Sequence, residues 1–228
     1  MRYRELITLL ALGTMLSACT STQKQVAATA PVNWTAEVGK RVVLIEPDVE
    51  LSELTAGGIT EARADWTTTG KNFIKTDIAS TLQAKGIATT SADTITDPHE
   101  VQLVKLYGAV GLSIMQNAIF NLPTKKNNFD WTLGPGVSAL REHYQGDYAL
   151  FVFVRDSYTT AGRALLMLGA AMMGVGIQGG QQVGFASLVD LRTGRVVWFN
   201  QLVSTGGNLK EEKPAAATVK NLLDGMPL

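Results

Sequence analysis

"VGFASLVDLRTGRVVWFNQLV", Val183 to Val203, decides the fold. Two runs rich in β-branched and aromatic residues flank Asp190-Leu191-Arg192-Thr193-Gly194. Asp190 can bond its own turn backbone, and Gly194 can adopt the positive φ that such a turn needs, so the stretch reads as strand, tight turn, strand. Upstream, "YALFVFV" (Tyr148–Val154) and "RVVLIEP" (Arg41–Pro47) are continuous apolar runs. Runs of that length and composition belong to strands buried on both faces.

Helices fill the gaps between these strands. In "WTTTGKNFIKTDIASTLQAKG" the residues Phe73, Ile74, Ile78 and Leu82 recur at helical spacing, and Gly86 stands at the C′ position. A short strand, "IATTS", follows it. "DPHE" opens a second helix with Asp97 as N-cap, Pro98 at N1 and Glu100 as the capping-box partner, continuing to about Leu122. Residues 123–136 read as a loop and Val137–Tyr144 as a short helix. After the hairpin, "KEEKPAAATVKNLLDGMP" is an amphipathic closing helix. "DVELSELTAGGITEARAD", after the first strand, is a loop or a short hairpin. The order implies an α/β (α+β) fold: a mixed sheet with helices packed on it, and a C-terminal β-hairpin followed by a closing helix.

The N-terminus sets the compartment. Arg2 and Arg4 precede a short apolar run, Leu6 to Leu16, that ends in "LSAC". The run is too short to span a bilayer comfortably. Leu16 to Cys19 resembles the lipobox of bacterial lipoproteins, in which the cysteine is acylated and becomes the mature N-terminus. Cys19 is the only cysteine of the 228 residues, so acylation leaves no thiol for a disulfide, a metal or a nucleophile. Thr20 stands where Asp would favour inner-membrane retention in enterobacterial sorting, which implies the periplasmic face of the outer membrane. The expected organisation is a signal peptide over 1–18, a lipidated tether over 19–38, and a single α/β domain over 39–228 carrying an apolar Gly-rich insertion at 161–180. From Cys19 onward the chain carries 18 basic and 19 acidic side chains. That near-neutral balance argues against nucleic acid as a partner.

The "DYALFVFV" strand, the "LVDLRTGRVVW" hairpin with Trp198 and the short final helix resemble the α/β domain of bacterial envelope lipoproteins and their kin. These include the CsgG curli-secretion lipoprotein and the N-terminal domain of TolB. The resemblance implies action by self-assembly or by contact with other envelope proteins, without catalysis. The membrane-inserting β-hairpins of CsgG alternate apolar and polar residues; no such alternation is found here, which puts a pore of that kind in doubt.

The insertion contains a G-x-G-x-x-G at Gly174, Gly176 and Gly179. A dinucleotide site needs a strand before such glycines and a helix after them. Here the helix-like "RALLMLGAAMM" comes first and a strand follows, so neither nucleotide nor any other cofactor is expected. Ala164 to Ile177 is apolar on every side of a helical wheel. It must be covered, either by folding over its own sheet, which its length favours, or by another subunit or the bilayer, with Met172 as a contact. His99 and His143 are too scattered for zinc, and the acids Glu46, Asp48, Glu50, Glu53, Glu61 and Asp65 lack calcium-loop spacing and read as a solvated loop. Phe129 and Trp131 are candidate partner contacts. The expected function is a non-enzymatic envelope assembly or interaction module bound to the bilayer through acylated Cys19. Binding of a small molecule or glycan, with the 123–136 loop as lip, is the alternative, and a periplasmic enzyme comes last.

Overall fold

The computed structural model describes residues 20–26, 41–120, 122–125 and 128–227. Its strands are β1 (Thr20–Val26), β2 (Arg41–Ile45), β3 (Asp48–Leu54), β4 (Thr60–Ala62), β5 (Ala88–Ala92), β6 (Tyr148–Thr159), β7 (Gln182–Asp190) and β8 (Val196–Ser204). Its α-helices are α1 (Ala64–Ala84), α2 (Pro98–Phe120), α3 (Ser138–Tyr144), α4 (Ala161–Met172) and α5 (Glu212–Leu222). All eight strands join one mixed sheet in the order β1-β8-β7-β6-β2-β5, with β3 also beside β6 and β4 beside β3. The α/β expectation holds, including the hairpin and the closing helix.

Pro47 has no N–H to donate to a ladder, and the chain breaks there between β2 and β3. Both segments run parallel to β6, β2 along Tyr148–Leu150 and β3 along Phe153–Thr159. Alternate β6 side chains supply opposite faces. Leu150, Val152 and Val154 enter a core under α1 and α5, with Ile74, Ile78, Leu82 and Val219. Ala149 and Phe151 enter a second core under α2 and α3, with Tyr107, Ile114, Leu140 and Phe185. The sheet is therefore sandwiched between two helical layers.

In the hairpin, the Asp190 carboxylate accepts from Arg192 N–H at 2.8 Å, Gly194 N–H donates to Asp190 C=O at 2.8 Å, and Gly194 has φ +72°. On the α2 face, a Cβ at Gly111 would lie 2.4 Å from the Phe185 ring, so helix and strand approach as only glycine allows.

Three expectations change. β6 does not end at Val154: the polar run Arg155-Asp156-Ser157 stays in the ladder because Asp156 finds buried donors, described below. Thr20–Val26, read as coil, is paired antiparallel along the whole of β8. An apolar strand such as β8 exposes unpaired backbone groups when it lies at an edge, and the Thr- and Gln-rich β1 supplies partners for them while showing water a polar flank. Asp97 caps α2, accepting from His99 and Glu100 N–H at 2.9 and 3.2 Å, but Glu100 does not close a capping box. Its carboxylate turns inward and bonds His143 Nδ1 at 2.8 Å. The signal segment, Cys19 and residues 27–40 lie outside the described residues.

Candidate interaction surface

Helix α4 leaves the end of β6 and folds against very little. Thr160 caps it, its Oγ1 accepting from Arg163 N–H at 3.1 Å. The Arg163 guanidinium then donates to Gln178 C=O at 2.7 and 3.0 Å and to Thr55 C=O at 3.4 Å. These bonds staple the first turn to the β3–β4 turn and to the segment that returns to β7. Beyond that turn only Ala170 is buried. Leu165 is 71% exposed and Met172 78%, and Leu166, Leu168, Met173 and Val175 are exposed as well. Folding back over the sheet, which the length of the run favoured, does not occur. The glycines Gly174, Gly176 and Gly179 follow the helix and precede β7, in the order that argued against a dinucleotide site.

A second apolar element reaches the same end of the sheet. α2 starts beside α3, where Glu100 meets His143, and passes Phe151 and Ser187 at Tyr107 and Phe185 at Gly111. It is long and apolar enough to cross a membrane, yet Leu103, Tyr107, Gly111 and Ile114 pack on the sheet, which makes this part a core helix. From Gly111 to Phe120 the helix advances about 13 Å. From Phe185 back to Gln182 the strand advances only about 10 Å. The last turn of α2 is therefore carried to about the level of Gln182, where β7 begins, with Phe120 77% exposed and Ile119 exposed beside it. Ile59, also exposed, caps the β3–β4 turn at this end. No charged residue occurs in 55–59, 106–124 or 164–189.

Under this surface lies a buried polar network that the sequence did not reveal. Asp156 is 2% exposed, and its Oδ2 accepts from Tyr158 O–H at 2.6 Å, Gln182 Nε2 at 3.0 Å and Leu209 N–H at 3.2 Å. Thr218 of α5 donates to Gln182 Oε1 at 2.9 Å. Burial pushes the Asp156 carboxyl above the usual carboxylate range, and the hydrogen bonds from Tyr158, Leu209 and Gln182 offset only part of that rise. The network ties β6, β7, the 205–211 connection and α5 into one unit. The signal that could have found it is an acid two residues past an apolar strand, at a position whose alternation points inward.

The other singled-out residues are engaged within the chain. Phe129 and Trp131 are half-buried against the α2-side core, with Lys125 Nζ 4.7 Å from the Trp131 ring. Glu46, Asp48 and Glu53 pair with Lys71, Arg155 and Arg63 at 2.9 Å each, as a solvated, ion-paired edge. His99, exposed at the start of α2, borders a groove of about 470 Å³ lined with Leu103, Leu106, Leu133 and Gly136.

No protein-family model and no curated protein matches the chain. Among solved structures it is similar to the PelC dodecamer from Paraburkholderia phytofirmans in space group P6, at 13% identity and a TM-score of 0.44, over 90% of this chain and 95% of that chain. It is also similar to a point variant of that dodecamer in space group C2, at 13% identity and a TM-score of 0.40 over the same shares.

Proposed function

We propose that the chain is an outer-membrane lipoprotein, held at the periplasmic face by acyl groups on Cys19, whose α/β domain works through surface contact rather than catalysis. It is an envelope assembly module that meets the membrane, copies of itself or other envelope proteins. The observation that carries this reading is the uncovered helix α4. Leaving a Leu or Met side chain in water forgoes about 1.5–3 kcal/mol of burial each. Most surface helices turn such residues inward; α4 presents them outward on several sides.

The groove beside His99 supports a second reading, a small-molecule or glycan site. Its volume of about 470 Å³ and its largely apolar lining suit a modest ligand.

Two experiments test the proposal. Cys19→Ser is expected to leave an uncleaved precursor that takes up no labelled palmitate, and undiminished labelling would refute the anchor. Crosslinking of the lipidated protein in its membrane is expected to trap adducts with itself or with envelope proteins. A chain that stays at monomer size under conditions that crosslink known complexes would refute the assembly role.

A further inference from the structure

Building on that reading of Cys19, we infer that the apolar end of the sheet is seated in the bilayer leaflet that holds the acyl chains. The domain is then attached at two places and held in one orientation.

The inference starts from strand register. Thr20 pairs with Ser204, Ser204 with Gln182, Gln182 with Asp156, and Asp156 with Leu51. These five residues form one row across the sheet. Beyond the row, at one end of the sheet, lie the β3–β4 turn, the exit of β6 into α4, the return into β7 and the start of the β8–α5 connection. Three strand spacings separate β1 from β6, a lateral distance of about 14 Å. Thr20, next in sequence to the anchor cysteine, and Asp156, five residues before α4, thus stand at one level of the sheet.

The second step is the absence of slack. A free tether of some eighteen residues would let the domain drift roughly 20–25 Å from the headgroups. Here the chain is already hydrogen-bonded at Thr20, the residue next to the cysteine, and stays paired through Val26. Thr20 Oγ1 also bonds Ser204 Oγ at 3.0 Å. A domain tied one residue from its lipid keeps this end against the membrane.

The third step is chemistry. What meets the membrane there is α4 beyond Arg163, the last turn of α2 and Ile59, which carry no charged residue. Of the cations at this end, Arg163 is spent on Gln178 and Thr55 carbonyls, Arg63 pairs with Glu53, and Lys210 stands over the Trp66 and Tyr158 rings. Helix α4 is about 18 Å long, short of the roughly 30 Å hydrocarbon core, so it lies in the interface and does not span. A second copy is the competing occupant. It would have to reach this end from within the headgroup layer, whereas the acyl region is already there.

The chain's cysteine count supplies the test. Acylated Cys19 is not a free thiol, so one introduced cysteine takes one spin label. Met172→Cys, Phe120→Cys and Thr193→Cys are made in the lipidated full chain and reconstituted in vesicles of phosphatidylethanolamine and phosphatidylglycerol. Thr193 is an exposed residue of the β7–β8 turn, at the opposite end of the sheet. Labels at 172 and 120 are expected to lose most of their collisions with a water-soluble nickel chelate and to gain collisions with oxygen, while the label at 193 does neither. Labels at 172 and 120 as open to the chelate as that at 193 would overturn the inference. So would shielding that survives without lipid and disappears on dilution, which would assign the surface to a second copy. Labelling of the unsubstituted chain at Cys19 would instead refute the anchor itself, and the two failures are thereby told apart.

Discussion

Gly194→Val probes the hairpin from which the fold is read. Gly194 has φ +72°, and a β-branched side chain there carries backbone strain of about 1–3 kcal/mol. The added Cβ would also lie 2.1 Å from Gly134 C=O, so the turn must move away from residues 132–134. That movement breaks the bonds that Gly194 C=O accepts from Leu133 N–H at 2.8 Å and from Thr132 Oγ1 at 3.0 Å. At about 1 kcal/mol for each bond, the loss totals about 3–5 kcal/mol. For a domain of this size the melting temperature falls by about 2–4 °C per kcal/mol, a drop of about 6–20 °C. Circular dichroism melts, with urea titrations at unchanged m, measure it. Gly194→Ala should fall nearly as far, because the first carbon makes the clash. An unchanged midpoint in both variants would refute the close approach of the turn to Gly134.

The remaining expectations concern the interior. Because the Asp156 carboxyl is raised when folded, stability is fully present below the unfolded value of about 3.9 and is lost as pH rises through the folded value. Asp156→Asn should flatten that decline in melts taken from pH 4 to 7; an undiminished slope would place its origin elsewhere. Gly111→Ala should destabilise by about 1–2 kcal/mol, since the Phe185 ring stacks on Phe153 and Phe199 and cannot retreat, although alanine favours the helix. Adding Phe185→Leu should recover part of that loss, and strict additivity of the two changes would count against the contact.

How much of this was legible depends on whether a local pattern or a distant partner decides each element. The apolar runs at 41–47 and 148–154, the Asp190–Gly194 turn and the Asp97 cap carry their own instructions, and all are found in place. The far end of β6 was not legible, because Arg155-Asp156-Ser157 stays in the ladder only when Gln182 and Leu209 are folded around Asp156. Nor was β1: its Thr, Gln and Lys residues suit a coil equally well, and only the open edge of β8 makes them a strand. Glu100 satisfied a capping pattern but found a better partner in His143, forty-three residues on. Composition also cannot tell a helix covered by its own domain from one left for something else to cover, since both are apolar all round. That ambiguity fell on α4, the helix on which the proposed function rests.

The most direct test of α4 as a contact surface is Met172→Asp. Met172 is 78% exposed, so in the protein lacking residues 1–18 the new charge stays in water and should change stability by no more than about 0.5 kcal/mol. The variant should therefore give an unchanged dichroism spectrum and melting temperature, while its retention on membranes or in assemblies falls. Unfolding of the variant would show that α4 is core after all. A folded variant that keeps every membrane and protein association of the parent would contradict the account, leaving α4 an exposed helix with nothing to meet.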